Sequence, residues 1–399
     1  MTNFIKNEII HFKNLPKKAQ ELLISFFFYS AAYPMVSIFM NAFIWKNNNN
    51  ILYIIFFRAG QFVIVPISFL LTGLLLKRVK ISNLYFIGAV VIAGASVLTI
   101  FWKNETIQGF FLMGGLLGVG TGLYWANRNY LTMKETSDDN RSYFFGLLFS
   151  FATLIGLVVT LFTGWFIVFG MSYQLLITVA FVLISISGLI IYRGNYETPK
   201  IGRLFIFDSS YIWMKKRFIH FGIGLTDGLS FFLPGLLILT VLGNEGVLGT
   251  LTAVSSILST MLIYVYGRKS HEKDHKFYFI VSAFLALFSS MFMALVFNKL
   301  TVIIYSLLSG LIINFLWLTA APIILKNVDL EVGQIEGKRF SYVLDSEIFL
   351  NIGRIASLAV CLIVTNVYGV SSSLRFSPLV LSLFQVLLFI YLEKRRIHQ

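Results

Sequence analysis

Charge is scarce in this chain. Only 13% of its 399 residues are Asp, Glu, Lys or Arg, about half the ~25% of an ordinary soluble domain. A soluble fold of this length could not enclose the 57% of residues that are hydrophobic, so an apolar solvent has to take part in the structure. Cysteine is nearly absent. Cys361 stands alone, which excludes an intrachain disulfide framework and a cysteine metal site. Seven prolines against 41 phenylalanines argue against a loop-rich enzyme and for long helices with lipid-facing aromatic sides. No nucleophile–base motif stands out, and no polar stretch is long enough to house a soluble catalytic domain, so neither an enzyme nor a cofactor is expected.

Acidic residues are the scarcer sign, 18 against 32 basic, for a net charge of +14. In a soluble protein that excess would raise nucleic acid as a partner. Here the basic residues sit in short segments between apolar runs, where they set membrane orientation, and no nucleic acid is expected. A span needs about 20 apolar residues. That ruler gives helices at 19–43, 51–76, 83–102, 107–133, 142–169 and 172–192, then at 216–242, 246–266, 276–297, 300–325, 340–366 and 373–392. With the N-terminus inside, 25 of the 32 basic residues fall in inside segments and four (Lys46, Lys103, Lys299 and Arg375) outside. The split supports an even number of spans with both termini cytoplasmic in the cell membrane.

The expected fold is therefore an all-α integral membrane bundle of about twelve helices in two six-helix halves. Residues 1–18 form a basic N-terminal segment read either as a short amphipathic helix on the inner surface or as a disordered basic tail. Residues 19–192 form the first half, 193–215 a central cytoplasmic loop, 216–392 the second half and 393–399 a tail. An internal echo supports a repeat: Leu123-Tyr124-Trp125 in the fourth span and Phe315-Leu316-Trp317 in the tenth, as two pseudo-symmetric halves would give.

Between the second and third spans the chain reads Gly73-Leu74-Leu75-Leu76-Lys77-Arg78-Val79-Lys80. With six plus six helices, a basic central loop and about 400 residues, the chain resembles a major facilitator superfamily permease over nearly its whole length. Gly73, Leu75 and Arg78 match the family's loop signature. Lys77 replaces its acid and Lys80 its second glycine, and Tyr266-Gly267-Arg268-Lys269 is a fragment of the second-half counterpart. The Gly-Pro signature of the family's drug/proton antiporters is missing from residues 142–169. The resemblance implies alternating access between the two halves, with Gly73 and Arg78 in a conformational loop, and leaves the substrate open.

The remaining basic residues, Arg58, Arg128 and Arg354, fall inside spans. Charges at membrane depth are costly unless paired or hydrated, so these positions carry the functional reading. In the eleventh span Glu347, Asn351 and Arg354 are spaced to share one helix face, with Glu347 roughly 10 Å from Arg354 by helical rise. Arg354 can hold a carboxylate or phosphate through two parallel donors, or pair with Asp227 or Glu347 as internal glue. Asp227, mid-span in the seventh helix, and Glu347 are the candidate proton-coupling acids. Arg58 and Gln61 share a face of the second span, where the first half offers no deep acid. Arg58 is therefore expected to face water, a second-half acid or an anionic substrate. Asn127 and Arg128 near the end of the fourth span complete the substrate-binding candidates, with snorkelling to the interface the alternative for Arg128.

Two further motifs invite chemistry and are set aside. Gly114-Gly115-Leu116-Leu117-Gly118-Val119-Gly120-Thr121-Gly122 lies within an apolar span, without the strand and lysine of a phosphate loop, and is read as a close-packing surface. His271 and His275 are four residues apart in a charged loop and are read as solvated; no metal is expected. In the first span Tyr29, Ser30, Tyr33, Ser37 and Asn41 approximate one polar face, with a kink at Pro34. The resulting expectation is a monomeric, proton-linked carrier of a small polar solute, with an anion favoured by Arg58. The alternatives are a flippase or multidrug exporter of the same fold, to which the 16% aromatic content would be suited, and a membrane scaffold that transports nothing.

Overall fold

The structure, a computed structural model, describes residues 12–102, 106–136, 138–199, 201–206, 210–269, 275–332 and 336–394. Among these there is helix and no strand. Most of the N-terminal segment 1–18 and His271 lie outside the described residues, while His275 opens a helix.

The first span, α1, covers Lys17–Asn48. It is interrupted by a π-helical turn at Met35–Phe39, immediately after Pro34, which has no N–H to offer the preceding turn. Then follow α2 (Ile51–Leu75), α3 (Ile81–Phe101), α4 (Ile107–Glu135), α5 (Asp138–Val168) and α6 (Tyr173–Arg193). Asn50, Thr106 and Ser172 cap the starts of α2, α4 and α6 with side-chain oxygens, closing donors that the helix itself leaves open.

The second half begins with α7, helical over Tyr211–Ser230 and again over Leu233–Val241. The sequence reads 216–242 as one helix. The structure breaks it at Phe231 and Phe232, next to Pro234, which deprives the Ser230 carbonyl of its ordinary donor. The remaining elements are α8 (Glu245–Lys269), α9 (His275–Leu295), α10 (Lys299–Val332) and a final stretch, Glu336–Lys394.

Eleven helical runs among the described residues are long and apolar enough to cross a bilayer. The last of them, Lys338–Ile390, is 53 residues long. At 1.5 Å per residue it is roughly 80 Å, more than two crossings of a ~30 Å hydrocarbon core. It leaves helical geometry at Gly369, φ 84°, a region that favours glycine. We therefore count it as two spans, α11 before Gly369 and α12 after it, which reconciles eleven runs with about twelve helices. The bend is tied across: the Ser373 hydroxyl donates to the Cys361 carbonyl at 3.0 Å.

Two close crossings position the polar groups. In the first half α2 lies against α4, where a Cβ on Gly114 would strike the Phe57 carbonyl. Gly118 and Gly122 meet α2 in the same way and Gly120 meets α3, so the glycine run serves packing. In the second half α7 lies against α11, and a Cβ on Gly224 would come within 2.9 Å of the Gly353 Cα. The halves touch along α5/α8 and α2/α11. At one end of the bundle Glu245, heading α8, accepts from Lys46 of α1 and Tyr173 of α6, each at 2.8 Å. At the opposite end the connecting segment lies across both halves. Tyr196 donates to Glu21 at 2.9 Å, the Arg203 carbonyl accepts from Ser341, and Leu204 and Phe340 close over Gly73. Large apolar side chains such as Leu112, Phe169, Phe288, Ile363 and Leu387 are exposed, as a surface facing lipid requires.

Candidate functional site

The crossing of α7 and α11 brings Asp227 and Arg354 together. Arg354 donates to Asp227 Oδ2 from Nε at 2.7 Å, and its Nη2 lies 2.6 Å from the same oxygen. Its Nη1 reaches Glu347 Oε1 at 3.4 Å and Asn351 Oδ1 at 3.2 Å. The Asn351 amide in turn donates to Glu347 Oε1 at 2.9 Å. The other Asp227 oxygen accepts from Trp317 Nε1 at 3.4 Å. One guanidinium thus holds two carboxylates. The shared face of Glu347, Asn351 and Arg354 read from spacing is occupied as a network, and the pairing that the sequence left as an alternative for Arg354 is the arrangement found.

Arg58 is held differently. It is 1% exposed, and among the described residues no carboxylate pairs with it. Its Nε and Nη2 donate to Asn41 Oδ1 at 3.1 and 2.8 Å, its Nη1 to Gln61 Oε1 at 2.6 Å, and Nη2 also to the Ser37 carbonyl at 2.9 Å. Its hydrogen-bond partners among the described residues are neutral acceptors. The sequence reading offered Arg58 water, a second-half acid or an anionic substrate; three neutral dipoles within reach of its planar fork satisfy these donors without neutralising the charge.

Two phenylalanines join the arginines. The Phe62 and Phe231 rings meet edge to face, centroids 5.3 Å apart. Arg58 lies 5.5 Å from the Phe231 centroid, and Arg354 5.4 Å from both Phe231 and Phe62. Cations at this distance are drawn to a ring face. Phe231 sits at the break in α7, and its carbonyl accepts from the Asn41 amide at 2.7 Å. Asn41 therefore links Arg58 in the first half to the interrupted helix in the second.

Arg128 is 8% exposed and does not snorkel free of the protein. It lies between Phe26 and Trp125, 4.4 and 4.6 Å from the ring centroids, and donates to Asn129 at 3.2 Å. Its Nε and the Asn127 Oδ1 are buried without partners. A chain of buried hydroxyls runs alongside, from Tyr124 to Tyr85 at 2.9 Å and on to Ser25 at 2.8 Å. Arg128 and Asn127 are not brought to the Arg354 network. Arg78 is exposed and has no ion pair among the described residues, while Gly73 lies where α2, the central segment and α11 meet.

The sequence reading missed Phe62, Phe231 and Trp317 as site members and set Asn41 apart from them. Asn41 did carry a signal, its place on the polar face of α1. The aromatic residues carried none, because nothing in their spacing separates them from the other rings of the chain.

Helical spans in two halves, with a polar cluster where they meet, make up a fold that a solved transporter structure shares. The human organic anion transporter MFSD10 (TETRAN) has this fold: its crystal structure is matched over 94% of this chain and 100% of that one, with a TM-score of 0.67 and 10% identity. In sequence, the chain is 26% identical over 388 residues to the uncharacterized protein YqgE of Bacillus subtilis (strain 168), covering 92% of this chain and 87% of YqgE. It is 28% identical over 132 residues to an uncharacterized protein in the sodM 3′ region of Geobacillus stearothermophilus, covering 32% of this chain and 62% of that one. No model of a known protein family matches the chain.

Proposed function

We propose that the protein is a secondary active transporter that moves a small polar anion by alternating access, coupled to protons. One observation carries the reading: Arg58 and Arg128 are buried in the first half with no carboxylate against either among the described residues, while Arg354 holds two. Burying a cation without a counter-charge is expensive, and an anionic cargo supplies the missing charge. A carboxylate or phosphate entering between Arg58 and Arg354 competes with Asp227 for the Arg354 fork. Asp227 or Glu347, released from the guanidinium, then takes the proton. Gln61 and Asn351 orient the two arginines. That a protein of the same fold is an organic anion transporter supports this reading. The orientation with both termini in the cytoplasm, residence in the cell membrane and action as a monomer belong to the same proposal.

The test is uptake into proteoliposomes together with a thermal-shift panel of anions, cations, sugars and lipid head groups. Bound ligand raises apparent stability by mass action. We expect stabilisation by anions only, lost in Arg354→Gln, and uptake abolished by an uncoupler. Stabilisation by hydrophobic cations or lipid head groups, unchanged in Arg354→Gln, overturns the reading in favour of an amphiphile exporter or flippase.

A further inference from the structure

Beside the two arginines lies a cavity of about 120 Å³ between α1, α7, α8 and α10. A single water needs only ~10–15 Å³ measured in this way, so a small inorganic anion held at the arginines leaves this space unused. The cavity and the arginine pair share two wall residues. Asn41 lines the cavity and accepts from Arg58; Phe231 lines it and stands between Arg58 and Arg354. The rest of the wall is largely aliphatic, including Ile38, Ile54, Leu248 and Leu251. Three of its hydroxyls, those of Ser230, Thr252 and Ser255, already donate to backbone carbonyls. The fourth, Ser306 Oγ, is buried with no partner, and Ser306 is 7% exposed. A buried hydroxyl left open on an otherwise apolar wall calls for a polar atom from a ligand. The second cavity, between α7, α9, α10 and α12, is about 30 Å³, room for little more than water.

We infer that the cargo is an amphiphilic organic acid: its anionic group lies between Arg58 and Arg354, and its mostly apolar body fills the cavity at the break in α7, with one hydrogen-bonding atom reaching Ser306. This inference rests on the anion reading given above and narrows it. The body gains its affinity by leaving water for an aliphatic wall, a contribution that grows with each methylene until the space is full.

Binding of acetate, butyrate and hexanoate to the purified full-length protein tests it, with hexylammonium carrying a similar body and the opposite charge. In the wild type, affinity should climb about fourfold per methylene while the cavity fills, and hexylammonium should show no binding. Gly235 lines the cavity, and a Cβ there would lie 3.4 Å from the Leu248 methyl. Gly235→Leu should collapse the hexanoate-to-acetate ratio towards one, and Gly235→Ala, which adds a single methyl, should reduce it in part. Acids that bind equally whatever their length overturn the inference on the wild-type protein alone, as does a ratio unchanged in a folded Gly235→Leu or Gly235→Ala. Tight hexylammonium binding overturns it too. If no acid binds, short or long, the anion reading itself fails, an outcome distinct from binding without length dependence.

Discussion

In the second half Arg354 reaches Asp227 at 2.6 Å and Glu347 at 3.4 Å; in the first half Arg58, more fully buried, hydrogen-bonds only to amide and backbone oxygens, the nearest at 2.6 Å. The same side chain is thus neutralised on one side of the interface and merely solvated on the other. Hydrogen bonds from neutral dipoles satisfy donors but leave the net charge in place. A neutralised arginine is bound to its partners and has to be released to act. A solvated one keeps its field for whatever enters. A pair of this kind, one latched and one open, is what a site needs if cargo is to be attracted by one half and to change the state of the other.

The largest effect expected from this difference comes from removing the latch. Asp227→Asn leaves Arg354 without its closest counter-charge. Breaking a buried pair on one side costs about 3–5 kcal/mol, so unfolding in detergent should shift sharply downward. Asp227→Asn, Glu347→Gln and Arg354→Gln combined should recover much of that loss, because the network then holds no charge. A triple variant no better than Asp227→Asn alone breaks the comparison. Arg58→Gln removes a cation that no carboxylate balances among the described residues, so relief of its burial offsets part of the lost hydrogen bonds and stability should fall much less than in Asp227→Asn, while stabilisation by anions disappears. A loss as large as that of Asp227→Asn would mean that the two arginines are structurally alike. The smallest effect is expected away from the interface, at the surface pair Lys134–Glu197, 2.8 Å apart. The hydrogen bond and charge of Lys134 hold the Glu197 carboxyl below its ordinary range. Its lowered value means that its contribution is present at neutral pH and fades as pH falls through that value. Glu197→Gln should therefore change melting slightly at pH 7 and not at all in strong acid. Exposed pairs contribute little.

Much of this was legible in the residues, for physical reasons. Membrane spans follow from hydropathy, and depth makes any charge conspicuous, so Arg58, Asp227, Glu347 and Arg354 stood out before their surroundings were known. Which of them meet was not legible beyond the shared face of α11, because the contact of Asp227 with Arg354 depends on how closely α7 and α11 cross at Gly224 and Gly353. The break in α7 escaped for a different reason. Residues 216–242 stay apolar throughout, and hydropathy measures transfer out of water, not whether each carbonyl finds a donor. Of the neutral partners of Arg58, Gln61 was legible from its spacing, whereas Asn41 and the Ser37 carbonyl lie on another helix and no spacing ties them to it. Gly369 and the serines after it read as an ordinary loop from 367 to 372, whereas the chain bends there through one residue.

That bend has a mechanical meaning. A loop absorbs displacement; a one-residue elbow, cross-tied from Ser373 to Cys361, passes it on. Arg354 rides on α11, so any rotation that accompanies its change of partner is delivered as torque to α12. There Ser382 engages Ser290 at 2.7 Å and Phe389 stacks within 4.6 Å of Phe279, so α9 is the next wheel in the train. Arg354 thus stands at one end of a continuous run of contacts that reaches α9 by way of α12.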